Sequence, residues 1–280
     1  MTAAKNSLIK STADTDAFIV AGGLSPWLKD LSGTEHRCLV PLGDKRIIDY
    51  IIEALQKSGC IRRIVIAAHP KALPILAATL PKDILLCKAE ADLSTTTYAA
   101  ANALGIDSSE KLLGVCDDIP LLTPQAVRDF LAACNEYPSA QLYYPIIPKK
   151  ICLKEFPQAK RTYANLKDDT FTGGNMMLMS KNIIPHGQKK AREIFILRKS
   201  PLKLCLWLGW SFIFKFIFRC LTVANAETRT SELLEINCKA IITHHAGIGM
   251  DIDKASDLLL AEKYINNRKE ASTYGQSQKN

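Results

Sequence analysis

The chain is 280 residues long, 48% hydrophobic and 23% charged, with 36 lysines and arginines against 28 aspartates and glutamates, a formal charge of +8. These figures exclude a disordered or collagen-like chain and leave room for one large α/β domain. The positive excess favours anionic partners, whether phosphates, nucleotides or an acidic membrane surface, without choosing among them.

Residues 1–15 are small and polar and read as a flexible leader. From Asp16 onward, short apolar runs alternate with helical segments. Residues 17–21 form an apolar strand that ends at Gly22 and Gly23. Ile47, Ile48, Ile51, Ile52 and Leu55 recur at helical spacing over residues 47–58, and Gly59 stands where a left-handed cap is expected. Strands are predicted at 64–68, 84–87 and 112–116, with helices at 71–80 and 94–104 between them. Thr123 then caps a helix that Pro124 opens, with Val127, Phe130, Leu131 and Cys134 on its apolar face. This β-α-β-α order implies a mostly parallel sheet with helices on both faces.

The C-terminal half reads differently. Residues 141–147 are strand-like, and strands at 163–166 and 171–179 flank Lys167, Asp168, Asp169 and Thr170 as a β-hairpin. Residues 202–223 are intensely apolar and aromatic, a helical element. A last helix is predicted at 253–266, followed by a flexible tail over 267–280. With no internal repeat, the simplest organisation is one domain over 16–266 carrying an apolar helical insertion at about 187–235.

Nine cysteines are scattered without a C-x-x-C pair, which reads as reduced, buried thiols in a cytoplasmic protein. The first residues lack the apolar stretch of a signal peptide, in keeping with that location.

Phosphate ligands of such sheets bind beyond the carboxyl ends of the strands, and that edge holds Gly22, Gly23, Asp117 and Asp118. A glycine pair at a strand end lets backbone N–H groups approach a phosphate without a Cβ clash, and a plain tight turn is the competing reading. The spacing is neither G-x-G-x-x-G nor a P-loop. Arg37 lies just ahead of a short apolar stretch, from which a guanidinium reaches phosphates held at the turn; a solvated arginine is the alternative. Adjacent aspartates at the end of a buried strand suit a hard cation such as Mg²⁺, against turn capping as the plain reading. Asp253 is placed either as a helix N-cap or as a second metal ligand. His244 and His245 have no third ligand at useful spacing and read as structural.

Taken in order, the elements A-G-G (21–23), R-C-L-V-P-L-G-D-K (37–45), C-D-D-I-P-L-L-T-P (116–124), F-T-G-G-N (171–175) and D-I-D-K-A-S-D-L (251–258) resemble the MobA-like NTP transferases. These are nucleotidyltransferases on a GT-A-type, Rossmann-like sheet, and the likeness covers residues 16–147, 161–180 and 246–265. The resemblance implies that Ala21, Gly22 and Gly23 hold the nucleotide, and it places Ser94 and Thr95 among the nucleotide contacts. It puts Arg37 at the family's phosphate-contacting lysine, Asp118 on the catalytic magnesium with Asp117 beside it, and Asp253 as the residue completing the metal site. Gly174 and Asn175 fall on the acceptor-side strand, with Arg161 and Thr162 as acceptor contacts. The implied reaction is Mg²⁺-dependent transfer of an NMP from an NTP to a phosphorylated small-molecule or lipid acceptor, with release of pyrophosphate, Arg37 and Asp118 being catalytic.

Three departures stand out. Residues 24–28 lack the arginine of the family's glycine-rich loop, the lysine is replaced by Arg37, which keeps the charge and changes the geometry, and Asp169 stands where a hairpin glycine is more comfortable. The alternative reading is a non-catalytic nucleotide-binding or scaffold protein of the same fold. The uncharged stretch 204–214 is too short to span a membrane. Either it is a buried element that covers the acceptor site or makes a homodimer contact, or residues 199–219 lie on an anionic membrane. In the second case Lys199, Lys203, Lys215 and Arg219 face headgroups while Trp207, Trp210 and Phe212 insert. Nucleic acid is not an expected partner, because no basic run is interleaved with aromatics.

Overall fold

The computed structural model describes residues 14–185, 218 and 220–277, with side chains up to residue 268. In chain order the first elements are β1 (Thr15–Ala21), α1 (Leu28–Ser32), a 3₁₀ turn (Arg37–Leu39), β2 (Pro41–Leu42), β3 (Lys45–Arg46) and α2 (Ile47–Lys57). There follow β4 (Ile61–Ala68), α3 (Leu73–Thr79), β5 (Leu85–Lys88), α4 (Leu93–Leu104), β6 (Lys111–Cys116) and α5 (Pro124–Asn135). The second half contains β7 (Leu142–Pro148), α6 (Lys149–Glu155), β8 (Ala164–Asn165), β9 (Thr170–Gly173), β10 (Met176–Ser180), α7 (Val223–Leu234), β11 (Cys238–Ile242) and α8 (Ala255–Ser277).

One sheet runs in the order β5-β4-β1-β6-β10-β7-β9-β8, with β11 also paired to β7. β1, β4, β5 and β6 are mutually parallel. β10 then runs antiparallel to both β6 and β7, so the sheet is parallel on one side and mixed on the other. The continuous apolar run of β1 follows from burial on both faces. Ala17, Ile19 and Ala21 join the larger core beneath α2 and α5, while Phe18 joins Val65, Ala100, Leu104 and Leu112 beneath α4.

The local signals act as chemistry requires. Gly59 closes α2 with φ +70°, a conformation that costs glycine nothing. Thr123 accepts a hydrogen bond from the N–H of Ala126 at 3.1 Å and so caps α5. Cys38, Cys134 and Cys152 are buried thiols, none of the eight described cysteines is in a disulfide, and Cys220 is exposed rather than buried.

Several elements differ from expectation. Residues 171–179, expected as one strand, are two: β9 pairs with Ile146–Pro148 of β7, and β10 with β6 and with Leu142–Tyr143. The break is at Gly174 and Asn175, whose N–H groups turn to Pro145 O at 2.9 Å and Ile248 O at 3.0 Å. Asp169 does not strain the hairpin, since Glu235 is the residue other than glycine with positive φ among those described. Its carboxylate accepts from the N–H of Thr170 at 2.7 Å. The last helix starts at Ala255, not Asp253, and continues to Ser277. Most of the apolar segment 202–223 lies outside the described residues, and with it the homodimer contact and the membrane surface proposed for 199–219; of the insertion expected at about 187–235, residues 218 and 220–235 are described, and they carry α7. Among the described residues no helix is long and apolar enough to cross a membrane.

Candidate functional site

The parallel strands fix the site. Val20 of β1 stands opposite Cys116 of β6, so the chain leaves both strands at one level and sets Gly22 and Gly23 beside Asp117 and Asp118. The loop that follows β1 closes on itself, with Leu24 bridging to His36 and the N–H of Ser25 donating to Glu35 O at 2.8 Å. Closure delivers Arg37 back to the glycine turn. Its backbone is anchored, because Cys38 and Leu39 of the same 3₁₀ turn are buried and Val40 N–H donates to Arg37 O at 3.2 Å.

The Arg37 side chain is 22% exposed and braces the two aspartates: Nη1 lies 2.9 Å from Asp118 Oδ2, and Nη2 lies 3.5 Å from Asp117 Oδ1. Gly23 is needed here, since a Cβ would collide with the guanidinium, and a Cβ on Gly22 would come within 2.7 Å of Ala89 Cβ. Burial pushes the Arg37 guanidinium toward losing its proton, but the carboxylates of Asp117 and Asp118 outweigh it and hold its pKa above the ordinary value. The Asp117 side chain is fully buried, and burial pushes its pKa up against the pull of Arg37. Neither Asp117 oxygen, nor Nε of Arg37, has a hydrogen bond of good geometry, although the backbone N–H groups of Asp117 and Cys38 lie near enough to oppose the upward push on the carboxyl. Buried polar atoms left in this state cost stability, and a ligand or cation is one group that could complete the set.

Asp253 joins this edge through its backbone neighbour. The N–H of Ile252 donates to Asp118 O at 3.0 Å, and Asp253 is close enough for its charge to bear on Arg37. Asp253 is exposed and stands before the helix; its own N–H and that of Lys254 donate to Asp257 Oδ2, both at 3.2 Å, so the acidic group serving the start of α8 is Asp257. Among the described residues no three His, Cys, Asp or Glu side chains form a ready metal cage. Mg²⁺ asks for less, commonly one or two carboxylates plus phosphate oxygens and water. The unsatisfied Asp117 carboxylate, Asp118 and the exposed Asp253 fit that demand.

The other expected residues divide. Asn175 joins the site, its carbonyl accepting from the N–H of Cys116 at 2.9 Å while its side-chain Nδ2 is buried without a partner. Gly174 packs tightly, a Cβ there meeting Ile248 Cγ2 at 2.6 Å. Arg161 is engaged with Asp251 in an ion pair, and Thr162 beside it is exposed. Ser94 and Thr95 are occupied in capping α4: Ser94 Oγ donates to Asp92 Oδ1 at 2.6 Å and the N–H of Thr95 to the same atom at 3.0 Å. Their hydroxyls thereby shape the helix start.

Two side chains beside these residues were missed from sequence. Asp251 holds Arg161, and the signal was present in D-I-D, because burial of Ile252 turns both flanking aspartates outward. His36 was the other: 8% exposed, its ring 4.8 Å from that of His69, with burial and the charges of His69 and Lys71 lowering its pKa against the opposing Glu35. No spacing rule brings these two histidines together, since they meet only after β4 pairs with β1.

A family model described as the MobA-like NTP transferase domain matches residues 17–186. Among solved structures, a hypothetical transferase from Thermus thermophilus is 31% identical with a TM-score of 0.75, the match covering 87% of this chain and 99% of that one. A 4-diphosphocytidyl-2C-methyl-D-erythritol synthase from Anaerococcus prevotii gives a TM-score of 0.57 at 12% identity, over 90% of this chain and 98% of that one. A 2-C-methyl-D-erythritol 4-phosphate cytidylyltransferase from Thermus thermophilus gives 0.53 at 13%, over 90% and 98%. At such identities the likeness shows the fold. Comparison with curated proteins gives no match.

Proposed function

The chain belongs to the MobA-like NTP transferase family, a family of nucleotidyltransferases, and from that premise we propose that it moves an NMP from an NTP to a phosphorylated acceptor and releases pyrophosphate. The observation that carries this reading is the meeting of a glycine turn, an arginine and two buried-edge aspartates at the carboxyl ends of β1 and β6. In it, the acceptor phosphate oxygen attacks the α-phosphorus, the new O–P bond forms as the Pα–O bond to the β-phosphate breaks, and the electron pair leaves with pyrophosphate. A phosphate monoester is already ionised near neutral pH, so positioning and charge neutralisation are the main requirements and no general base is needed.

The backbone of Ala21, Gly22 and Gly23 takes the nucleotide, with close approach allowed by the missing Cβ atoms. Arg37 carries charge to the departing pyrophosphate. Asp118 and Asp253, with Asp117 beside Asp118, would hold Mg²⁺, which would supply neutralisation of phosphate charge. Asn175, Gly174 and Arg161 line the acceptor side, Asn175 through its free Nδ2 and Arg161 through the cation it keeps beside Asp251; Thr162 lies exposed at the rim. Ser94 and Thr95, in the first turn of α4 capped by Asp92, are assigned to the nucleotide on the family resemblance. The positive excess of the chain accords with two anionic substrates meeting on one edge.

The test is pyrophosphate release from each of ATP, GTP, CTP and UTP, with and without Mg²⁺, against a panel of sugar phosphates, polyol phosphates and lipid phosphates. The reading expects one donor–acceptor pair that turns over only with the metal. No release from any pair, with folded protein, contradicts it.

A further inference from the structure

Arg37 occupies the approach to the carboxylates that a divalent cation would need. Its fork spans both aspartates, 2.9 Å from Asp118 and 3.5 Å from Asp117, and its outer face is wedged against Gly23. A lysine ammonium is a point charge that settles on one carboxylate, whereas a planar guanidinium braces two. Yet the seat is an incomplete one for arginine, because Nε is buried without a partner and the fully buried Asp117 has no hydrogen bond of good geometry on either oxygen. Only the side chain has freedom to leave, since the Arg37 backbone is fixed by its 3₁₀ turn.

We infer that Arg37 and the divalent cation compete for the Asp117–Asp118 carboxylates, so that metal binds weakly by itself and enters well only with the triphosphate that draws the guanidinium away. Arg37 is thereby the residue that couples metal and nucleotide binding, and it keeps the acidic pair from collecting cations when no nucleotide is at hand. The inference rests on the proposed transfer reading for the identity of the anion, but its test needs no turnover.

The experiment is direct Mn²⁺ binding to the full chain without nucleotide, read by the electron paramagnetic resonance of the free ion, with circular dichroism melting on each protein. Arg37→Ala should bind Mn²⁺ at least about tenfold more tightly than wild type, and Arg37→Lys, which braces one carboxylate, at least about threefold more tightly. Arg62→Ala removes the same charge from the ion pair with Asp16 at the amino end of β1, away from the site, and should leave Mn²⁺ affinity near wild type. If Arg37→Ala does not fold, the Arg37→Lys comparison decides. Unchanged affinity in the folded Arg37 variants, or equal tightening in Arg62→Ala, overturns the inference. Wild type that releases pyrophosphate while its Arg37 variants gain no Mn²⁺ affinity would keep the transfer reading and lose this one. Tightening in the Arg37 variants of a chain that transfers nothing would do the reverse.

Discussion

Two carboxylate–arginine clusters stand at opposite ends of the parallel strands, and they are completed to different degrees. At the amino end of β1, Asp16 has no exposed surface and accepts from Arg62 Nε and Nη2 at 3.0 and 2.8 Å, from Arg63 Nε and Nη2 at 3.3 and 2.8 Å, and from the N–H of Ser109 at 3.0 Å. At the carboxyl end, Asp117 is equally buried, yet it has one arginine contact at 3.5 Å, the backbone of Cys38 and of Asp117 itself nearby, and no hydrogen bond of good geometry on either oxygen. A saturated ion cluster fixes chain ends in register and gains nothing from a ligand. An unsaturated one lowers stability and persists where binding completes it. The comparison therefore separates a structural charge cluster from the one proposed to bind a ligand at the other end of the parallel strands.

That contrast can be broken most forcefully at Asp16. Asp16→Ala leaves two arginines converging on nothing and should cost about 3–5 kcal/mol of stability, read by urea unfolding, with turnover per folded molecule unchanged. Asp118→Asn should behave in the opposite way, losing about 10²–10³-fold in turnover, a loss of roughly 3–4 kcal/mol in the transition state, while its melting point stays near wild type. A folded Asp118→Asn variant with normal turnover would remove that residue from the site.

Acid sharpens the same contrast. Burial alone would raise the Asp16 carboxyl, but the hydrogen bonds from Arg62, Arg63 and Ser109 prevail and hold it well below the usual carboxylate range. In the unfolded chain it titrates near 3.9, so its contribution to stability is full above about pH 5 and is lost as the pH falls toward the folded value. Unfolding free energy measured from pH 7 down to 3 should fall, and Asp16→Asn should show a shallower fall. A smaller effect is expected of Gly23→Ala, whose Cβ displaces the Arg37 guanidinium: turnover should drop about tenfold with little change in melting point. The smallest belongs to neither cluster. Thr123→Ala removes the cap of α5 and should cost about 1 kcal/mol in thermal or urea unfolding.

The parallel half of the sheet was legible because its signals are local. Apolar runs buried on both faces, a glycine after α2 and a Thr-Pro helix start each depend on near neighbours in sequence, and β1, α2, β6 and α5 appear where these place them. The mixed half obeys distant partners. Nothing within residues 171–179 announces that Asn175 must turn to meet both Cys116 and Ile248, and the two-residue strands β2 and β3 are too short for any periodicity to show. The start of α8 was misplaced by two residues because Asp253 resembles a cap, while the side chain accepting from the backbone there is Asp257. At the site, Asp117, Asp118, Arg37 and the glycine turn were visible as residue types at strand ends. The bracing of both aspartates by Arg37, the pairing of Arg161 with Asp251 and the use of Ser94 and Thr95 in a cap needed the folded chain.

The central claim is that the incomplete cluster, and not the complete one, receives a metal–nucleotide complex. A ligand that binds only the folded state raises the melting midpoint by mass action. The deciding measurement is the shift produced by ATP, GTP, CTP and UTP, each with and without Mg²⁺, on wild type, Asp118→Asn and Asp16→Asn. The account predicts a shift for a particular nucleotide that requires Mg²⁺, disappears in Asp118→Asn and survives in Asp16→Asn on its lower baseline. No shift in wild type, or an undiminished shift in Asp118→Asn, would contradict it.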